Sequence, residues 1–298
     1  MAQPRETGRD DGYLALRPLL FSVAYRMLGS ASDAEDIVQD AWFRYQGATD
    51  VREPKAYLVQ VVTRLCLDQL RSARVRRETY VGPWLPEPVL TGQSTMDDPL
   101  ATVERREELS LGALAILERL SPQERAVLVL YEALDYSHAE IADAVGITAV
   151  ASRQQLSRAR RRMAERPRRS ADPAQHRRLL SAMLTAFSSG DTASLVDVLR
   201  ADVVMVNDTG GEISAARRPV YGADKVSRWI AGVFRKRTPG LELGWAEVNG
   251  LPAVVTSIDG HPMYYMCVEV VDGQVAELLV VGGPTKLTYA RQQLSRSG

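Results

Sequence analysis

Along the first 77 residues apolar positions recur at helical spacing, with charged residues between them. In "SDAEDIVQDAWFRYQ", Ile37, Ala41 and Tyr45, joined by Val38 and Trp42, form one stripe. In "EPKAYLVQVVTRLCLDQLRSAR", Val59, Val62, Leu65, Cys66 and Leu70 form another. The pattern breaks between Tyr80 and Pro99. There "VGPWLPEPVLTGQSTMDDP" holds four prolines and two glycines, which predicts a connector. Helical patterning resumes near Thr102 and runs to Met163, and a second short connector, "AERPRRSADPA", follows. Beyond Asp172 two helices are predicted up to Leu199, and then strands.

Local signals mark the ends of these elements. "SDAE" (Ser32 to Glu35), "SPQE" (Ser121 to Glu124) and "SHAE" (Ser137 to Glu140) have the form of capping boxes, in which the serine accepts from a free N–H and the glutamate reaches back. Pro122 supplies the favoured first helical residue. In the last third, Asn249-Gly250, Asp259-Gly260 and Asp272-Gly273 separate β-rich runs. Such pairs suit turns that need positive φ at both central positions, so they predict a four-stranded antiparallel meander. The helices from Pro173 onward would pack on one of its faces, an α+β arrangement.

Charge changes the picture in one place. The chain balances Lys+Arg 37 against Asp+Glu 37, yet arginines crowd the stretch from Arg153 to Arg169. Ser137–Ala144 reads as a short helix, Val145-Gly146-Ile147 as a turn, and Thr148 as the cap of a second helix: a helix–turn–helix. On the second helix Ser152, Leu156, Ala159 and Met163 form the packing stripe. Arg153, Gln154, Ser157, Arg158 and Arg161 share a neighbouring face, and these types read base edges and phosphates. A solvated basic helix is the competing reading, and the preceding helix and glycine turn weigh against it.

Other chemistry is thin. The three histidines do not stand at metal-ligand spacing with Cys66 or Cys267, so neither a metal nor another cofactor is expected, and the cysteines read as reduced core residues. The polar N-terminus is not a signal peptide and no apolar run spans a bilayer, so a cytoplasmic protein without membrane contact is expected.

The stretch "SPQERAVLVLYEALDYSHAEIADAVGITAVASRQQLSRARRRM" resembles region four of bacterial extracytoplasmic-function (ECF) sigma factors, which contacts the minus-thirty-five promoter element. "LLFSVAYRMLGSASDAEDIVQDAWFRYQ" resembles region two, whose D-A-E-D-x-V-Q-[DE]-A-[WF] pattern docks on the β′ clamp helices of RNA polymerase. "EPKAYLVQVVTRLCLDQLRSAR" is similar to the following minus-ten segment. The resemblance implies polymerase contacts for Asp36, Gln39 and Asp40, and strand or phosphate contacts for Arg64, Arg71 and Arg74.

Trp84-Leu85-Pro86-Glu87-Pro88 matches the W-L-P-E-P motif of a subgroup that carries a fused C-terminal SnoaL-like (NTF2-like) cone domain. Two other subgroup motifs are altered. D-G-G-G-K corresponds to Asp208-Thr209-Gly210-Gly211-Glu212, and N-P-D-K-L to Gly283-Pro284-Thr285-Lys286-Leu287.

The expected organisation is therefore multidomain. Sigma region two spans 1–79, a Pro-rich linker 80–101, the region-four helix–turn–helix 102–168 and the SnoaL-like domain 169–298. The expected function is promoter-specific transcription initiation with core RNA polymerase on promoter DNA, modulated by the fused domain. A ligand-responsive helix–turn–helix regulator and a SnoaL-type enzyme with a DNA-binding appendage are the alternatives. Asp208, Trp229, Trp245 and Tyr264 are candidate pocket liners for a small ligand, but no acid–base pair stands at a readable spacing, so catalysis is not expected. Trp84 and Leu85 are apolar residues in a linker and want a surface, for which the fused domain is the obvious partner.

Overall fold

The computed structural model describes residues 5–78, 80–92, 109–164, 172–189, 192–235 and 239–297. Arg166, Arg168, Arg169 and the expected boundaries near 101 and 168 lie outside the described residues, as does the side chain of Arg74. In chain order the elements are α1 (Arg5–Leu28), α2 (Ala31–Gly47), α3 (Pro54–Glu78), α4 (Leu111–Leu117), α5 (Pro122–Leu134), α6 (His138–Val145) and α7 (Ala149–Ala164). Then follow α8 (Pro173–Ser189), α9 (Thr192–Val198), β1 (Leu199–Asp208), β2 (Val220–Tyr221), α10 (Ala223–Arg235), β3 (Leu241–Val248), β4 (Leu251–Ile258), β5 (His261–Val271), β6 (Gln274–Gly282) and α11 (Thr288–Ser297). The chain divides into two compact units.

The first unit is helical and contains α1–α3 and α5–α7. The stripes on α2 and α3 are buried at Ile37, Val38, Ala41, Tyr45, Val59, Val62, Cys66 and Leu70. Burial also pushes the Cys66 thiol well above its ordinary range, so it is an inert core group. Trp42 packs against Tyr13 at 4.5 Å between ring centres, a core contact. Two of the three capping boxes are present, at Ser121/Glu124 and Ser137/Glu140. The third is corrected. The cap of α2 is Ser30, which accepts from Asp33 N at 3.1 Å, and Glu35 is held by Arg17 of α1 instead of reaching back to Ser32. Gly146 ends α6 with φ 75°, a conformation that glycine adopts without a Cβ penalty.

Within this unit α5 and α6 pack on α1 and α3. Arg125 of α5 is 2 % exposed; it donates to Met27 O at the end of α1 (2.6 Å) and pairs with Glu118 at 2.9 Å. A buried guanidinium is tolerated because an acceptor and a counter-charge replace its water.

The second unit is built on a six-stranded sheet of order β2-β1-β6-β5-β4-β3. The meander β3–β6 is antiparallel, and each Asx-Gly turn has positive φ at both residues. The meander is not the whole sheet: β1 adds parallel to β6, with Asn207 opposite Val280, and the short β2 pairs with β1. Residues α8, α9 and α10 contribute, among them Leu180, Met183, Leu195, Val226 and Ile230, pack on one face against Met205, Val254, Val268 and Leu278. Helices on one face of a sheet are the α+β arrangement expected for this part of the chain.

The other face is covered by residues expected in a linker and at the start of region four. Leu85, Leu90 and Leu111 join Val248, Ala253, Tyr265, Cys267, Leu279, Val281, Leu287 and Ala290 in a second core. Every residue from Leu85 to Thr91 is buried, so this stretch is a structural part of the second unit and not a solvated connector. Residues 109–115, expected within region four, also belong to this unit. Burying each leucine is worth about 1.5–3 kcal/mol relative to leaving it in water, which explains why a proline-stiffened apolar segment lies down on the sheet.

Candidate functional sites

Helix α7 presents two kinds of arginine. Its start is capped by Thr148 Oγ1, which accepts from Ala151 N at 3.1 Å, while Ser152, Leu156 and Ala159 are buried. Arg160 pairs with Glu132 at 2.6 Å and stacks over Tyr131 at 4.9 Å. Arg162 pairs with Glu124 at 2.5 Å. Arg158, expected on the base-reading face, stands 3.8 Å from Glu124 and leans toward α5, because that carboxylate is the nearest counter-charge. Arg153, Gln154, Ser157 and Arg161 are exposed and make no hydrogen bond or ion pair among the described residues. Val150 joins their face at 60 % exposure. Sequence reading passed over it because an apolar residue on an amphipathic helix is normally counted with the core.

On α2 the residues Asp36, Gln39 and Asp40 are exposed along one side, and Phe43, 58 % exposed, extends the same side by one turn. Partial burial raises the Asp36 carboxyl above its ordinary value, and the charges of Asp33, Asp40 and Glu35 push the same way. A strip of acids with an exposed aromatic suits a basic protein surface with an apolar notch.

On α3, Arg64 donates to Asp143 O at 3.3 Å and Gln60 to the same carbonyl at 2.9 Å, near the end of α6. Arg71 is exposed and pairs with its neighbour Asp68 at 3.1 Å. Of Arg74 the backbone lies in α3.

In the second unit Asp208 and Lys286 form a buried centre. Lys286 Nζ stands 2.9 Å from Asp208 Oδ2, with side-chain exposures of 4 % and 0 %. Around this pair closes the segment that begins at Tyr80. Tyr80 Oη donates to Asp208 Oδ1 at 2.5 Å and Leu85 N to Oδ2 at 2.7 Å, while Lys286 donates to Leu85 O at 2.5 Å. The ammonium also lies 3.2 Å from the centre of the Trp84 ring, a cation–π contact. Burial and the bond to Asp208 drive the Tyr80 hydroxyl far above its ordinary range, so it stays protonated and donates to Asp208.

Further along, Asn249 N donates to Val89 O, Val89 N donates to Asn249 Oδ1, and Thr91 N donates to Glu247 O. Leu90 thereby bridges Val248 of β3, the outer strand, and Gln293 bonds both main-chain groups of Leu90. Pairing with an outer strand satisfies backbone groups that would otherwise face solvent. Trp84, Leu85, Pro86, Glu87 and Pro88 are thus placed against the sheet face opposite to α8–α10.

The expected pocket liners divide. Asp208 is corrected: it faces the 80–88 segment, because period-two alternation on β1 turns Asn207, not Asp208, toward the helix-covered face. Trp229 and Tyr264 do pack against that helix-covered core. Trp245, on the outer strand with Arg177 stacked 4.5 Å above its ring, lines a separate cavity together with Pro262 and Tyr265.

The model of Sigma-70 region 2 matches residues 13–76 and that of Sigma-70 region 4 matches residues 111–163. The chain is 41% identical over 291 residues to the ECF RNA polymerase sigma factor SigJ of Mycobacterium tuberculosis, covering 92% of this chain and 91% of that one. It is 34% identical over 288 residues to the probable ECF RNA polymerase sigma factor SigI of the same species, covering 94% and 95%. The crystal structure of M. tuberculosis SigJ superposes with a TM-score of 0.77 at 38% identity, over 94% of this chain and 98% of that chain. Likeness over nearly the full length includes the sheet domain and the segment packed on it, and so the chain belongs to the ECF RNA polymerase sigma factors, proteins that bind RNA polymerase and direct transcription initiation.

Proposed function

We propose that this sigma factor engages the β′ clamp helices of core polymerase through Asp36, Gln39, Asp40 and Phe43 of α2. Arg153, Gln154, Ser157 and Arg161 of α7 read the upstream promoter element, with Val150 beside them. Arg64, Arg71 and Arg74 hold phosphates of the opened minus-ten strand. Arg64 and Gln60 are engaged by the end of α6, so promoter binding requires that contact to open. The fused domain modulates activity by holding residues 80–92, the stretch that follows α3.

The observation that carries the regulatory part is the burial of Leu85–Thr91 around the Asp208–Lys286 pair. The chain between α3 and α5 sets how far apart the two DNA-binding parts can reach, and a segment docked on the sheet cannot lengthen that reach. Purified protein added to core polymerase on its promoter should give transcripts from one start site. Replacing Asp36 and Asp40 with lysine should abolish them while the isolated chain stays folded. Transcripts unaffected by the double replacement would remove α2 as the docking face. Lys286→Met should change transcript yield without changing the start site, and an unchanged yield would remove the regulatory role.

A further inference from the structure

The Gly-Gly loop after β1 encloses a cavity of about 290 Å³. Val81, Gly82, Asn207, Ile213 and Ala216 line it, with the charged side chains of Glu212 and Arg217. Asn207 is 3 % exposed, and neither its Oδ1 nor its Nδ2 has a hydrogen-bond partner among the described residues. Buried side-chain amides are nearly always satisfied, so this one points to something the cavity receives. The loop around it is fixed. Thr209 Oγ1 donates to Ile213 O at 3.0 Å, Glu212 N donates to Thr209 O at 3.0 Å, and Gly210 and Gly211 have φ 60° and 77°. The hydroxyl of Tyr264 reaches Ser214 O at 3.5 Å and steadies the far wall.

We propose that this cavity is a binding site for a small neutral molecule with a cis-amide edge: a lactam, a cyclic imide or a pyrimidinone. The amide of Asn207 offers one acceptor beside one donor. A molecule presenting one N–H beside one C=O satisfies both at once. A carboxylate only accepts, so it leaves Oδ1 unpaired and adds a buried charge. An ammonium only donates and leaves Nδ2 unpaired. Ile213, Ala216 and Val81 give the lining an apolar side that suits a small ring, beside the polar groups of Thr209, Ser214, Glu212 and Arg217. The volume stands at the lower limit for organic ligands, so the ligand is of fragment size. Of the two charged residues in the lining, Glu212 is held by Thr285, and Arg217 is exposed to solvent, where its charge is screened. A Cβ on Gly211 would come 3.2 Å from Val81, so the loop and the 80–82 stretch close on one another and the ligand would lie under that stretch.

The test is saturation-transfer NMR on the full chain with 2-pyrrolidinone as probe and N-methyl-2-pyrrolidinone, which lacks the N–H, as its control. Transfer is expected for the first and not the second. Asn207→Leu should abolish transfer and raise the melting temperature of the free protein by about 2–4 °C, since an unsatisfied buried amide is replaced by a side chain of similar size. Ala216→Leu, which fills the cavity and leaves Asn207 in place, should also abolish it. The probe should slow amide hydrogen exchange at residues 80–82. Equal transfer from the N-methyl control, transfer that survives both substitutions, or no transfer from 2-pyrrolidinone at all, as for a cavity that holds only water, would each overturn the proposal. None of these readouts involves polymerase, so they fail or succeed apart from the regulatory reading above.

Discussion

Glu212 accepts from both the main-chain N–H (3.0 Å) and the hydroxyl of Thr285, and these two residues stand where the chain departs from the motifs of its subgroup. A lysine at the first position and an aspartate at the second would face each other in the same way. Such a pair would be joined by charge where Glu212 and Thr285 are joined by hydrogen bonds from hydroxyl and backbone to carboxylate. Glu212→Lys alone should destabilise the second unit, since Thr285 offers donors to a donor. Thr285→Asp alone should do so by setting two carboxylates together. The pair of substitutions should recover most of the loss. Because the site is exposed, coupling of about 0.2–1 kcal/mol is expected from a double-mutant cycle by urea unfolding. Strict additivity would show that the two positions do not interact.

Lys286→Met should cost about 3–5 kcal/mol, because it leaves the Asp208 carboxylate buried with hydrogen-bond donors but no counter-charge. Adding Asp208→Asn should restore part of that. Limited proteolysis gives the local readout: cutting between residues 80 and 92 should appear in Lys286→Met and fade in the double variant. Equal protection in all three proteins would show that the pair does not hold the segment.

On the proposed docking role, Asp36 sets polymerase affinity against stability. Its carboxyl has a raised pKa in the folded chain, so the charged form is disfavoured there. That penalty is present above the folded-state pKa and is relieved as pH falls through it, while an unfolded chain keeps its carboxylate to lower pH. Asp36→Asn should raise the melting temperature at pH 7, with the advantage shrinking as pH falls into the carboxylate range. Its affinity for core polymerase should drop. A lower melting temperature at pH 7 would mean that the charge is stabilising after all.

Arg153→Ala should lose base discrimination of about 1–3 kcal/mol, roughly five- to hundredfold between cognate and altered upstream elements. Binding to core polymerase should be unchanged. Arg162→Ala, which removes a partner of Glu124, should instead lower stability with little change in promoter preference. Reversed results would exchange the roles of the two faces of α7.

Much of this was legible locally. The serine boxes at α5 and α6, the glycine after α6 and the Asx-Gly hairpins declare themselves because their chemistry is contained within a few residues. The α2 cap was misplaced because Ser30 and Ser32 are equally suitable caps, and only Arg17, on another helix, decides where Glu35 goes. Strand β1 and its parallel pairing with β6 were not predicted, since no turn signal links strands so far apart. The same gap hid the role of Asp208: its facing depends on the register of β1, which is fixed only by β6. The segment at Trp84 could be recognised as wanting a surface, but its partners lie 123 and 201 residues away from Leu85 and nothing nearby points to them.

That separation has a consequence for the newborn chain. Leu85 and Lys286 are 201 residues apart. At about 5–20 residues per second a ribosome needs roughly 10–40 s to make that stretch. The helices of the first unit have all been made by residue 164 and can fold during this interval. Every nascent copy thus passes through a period in which its DNA-binding helices exist and the Trp84–Thr91 stretch has no sheet to lie on. Whichever partner meets the chain in those seconds, polymerase or its own unfinished C-terminal domain, has the first claim on it.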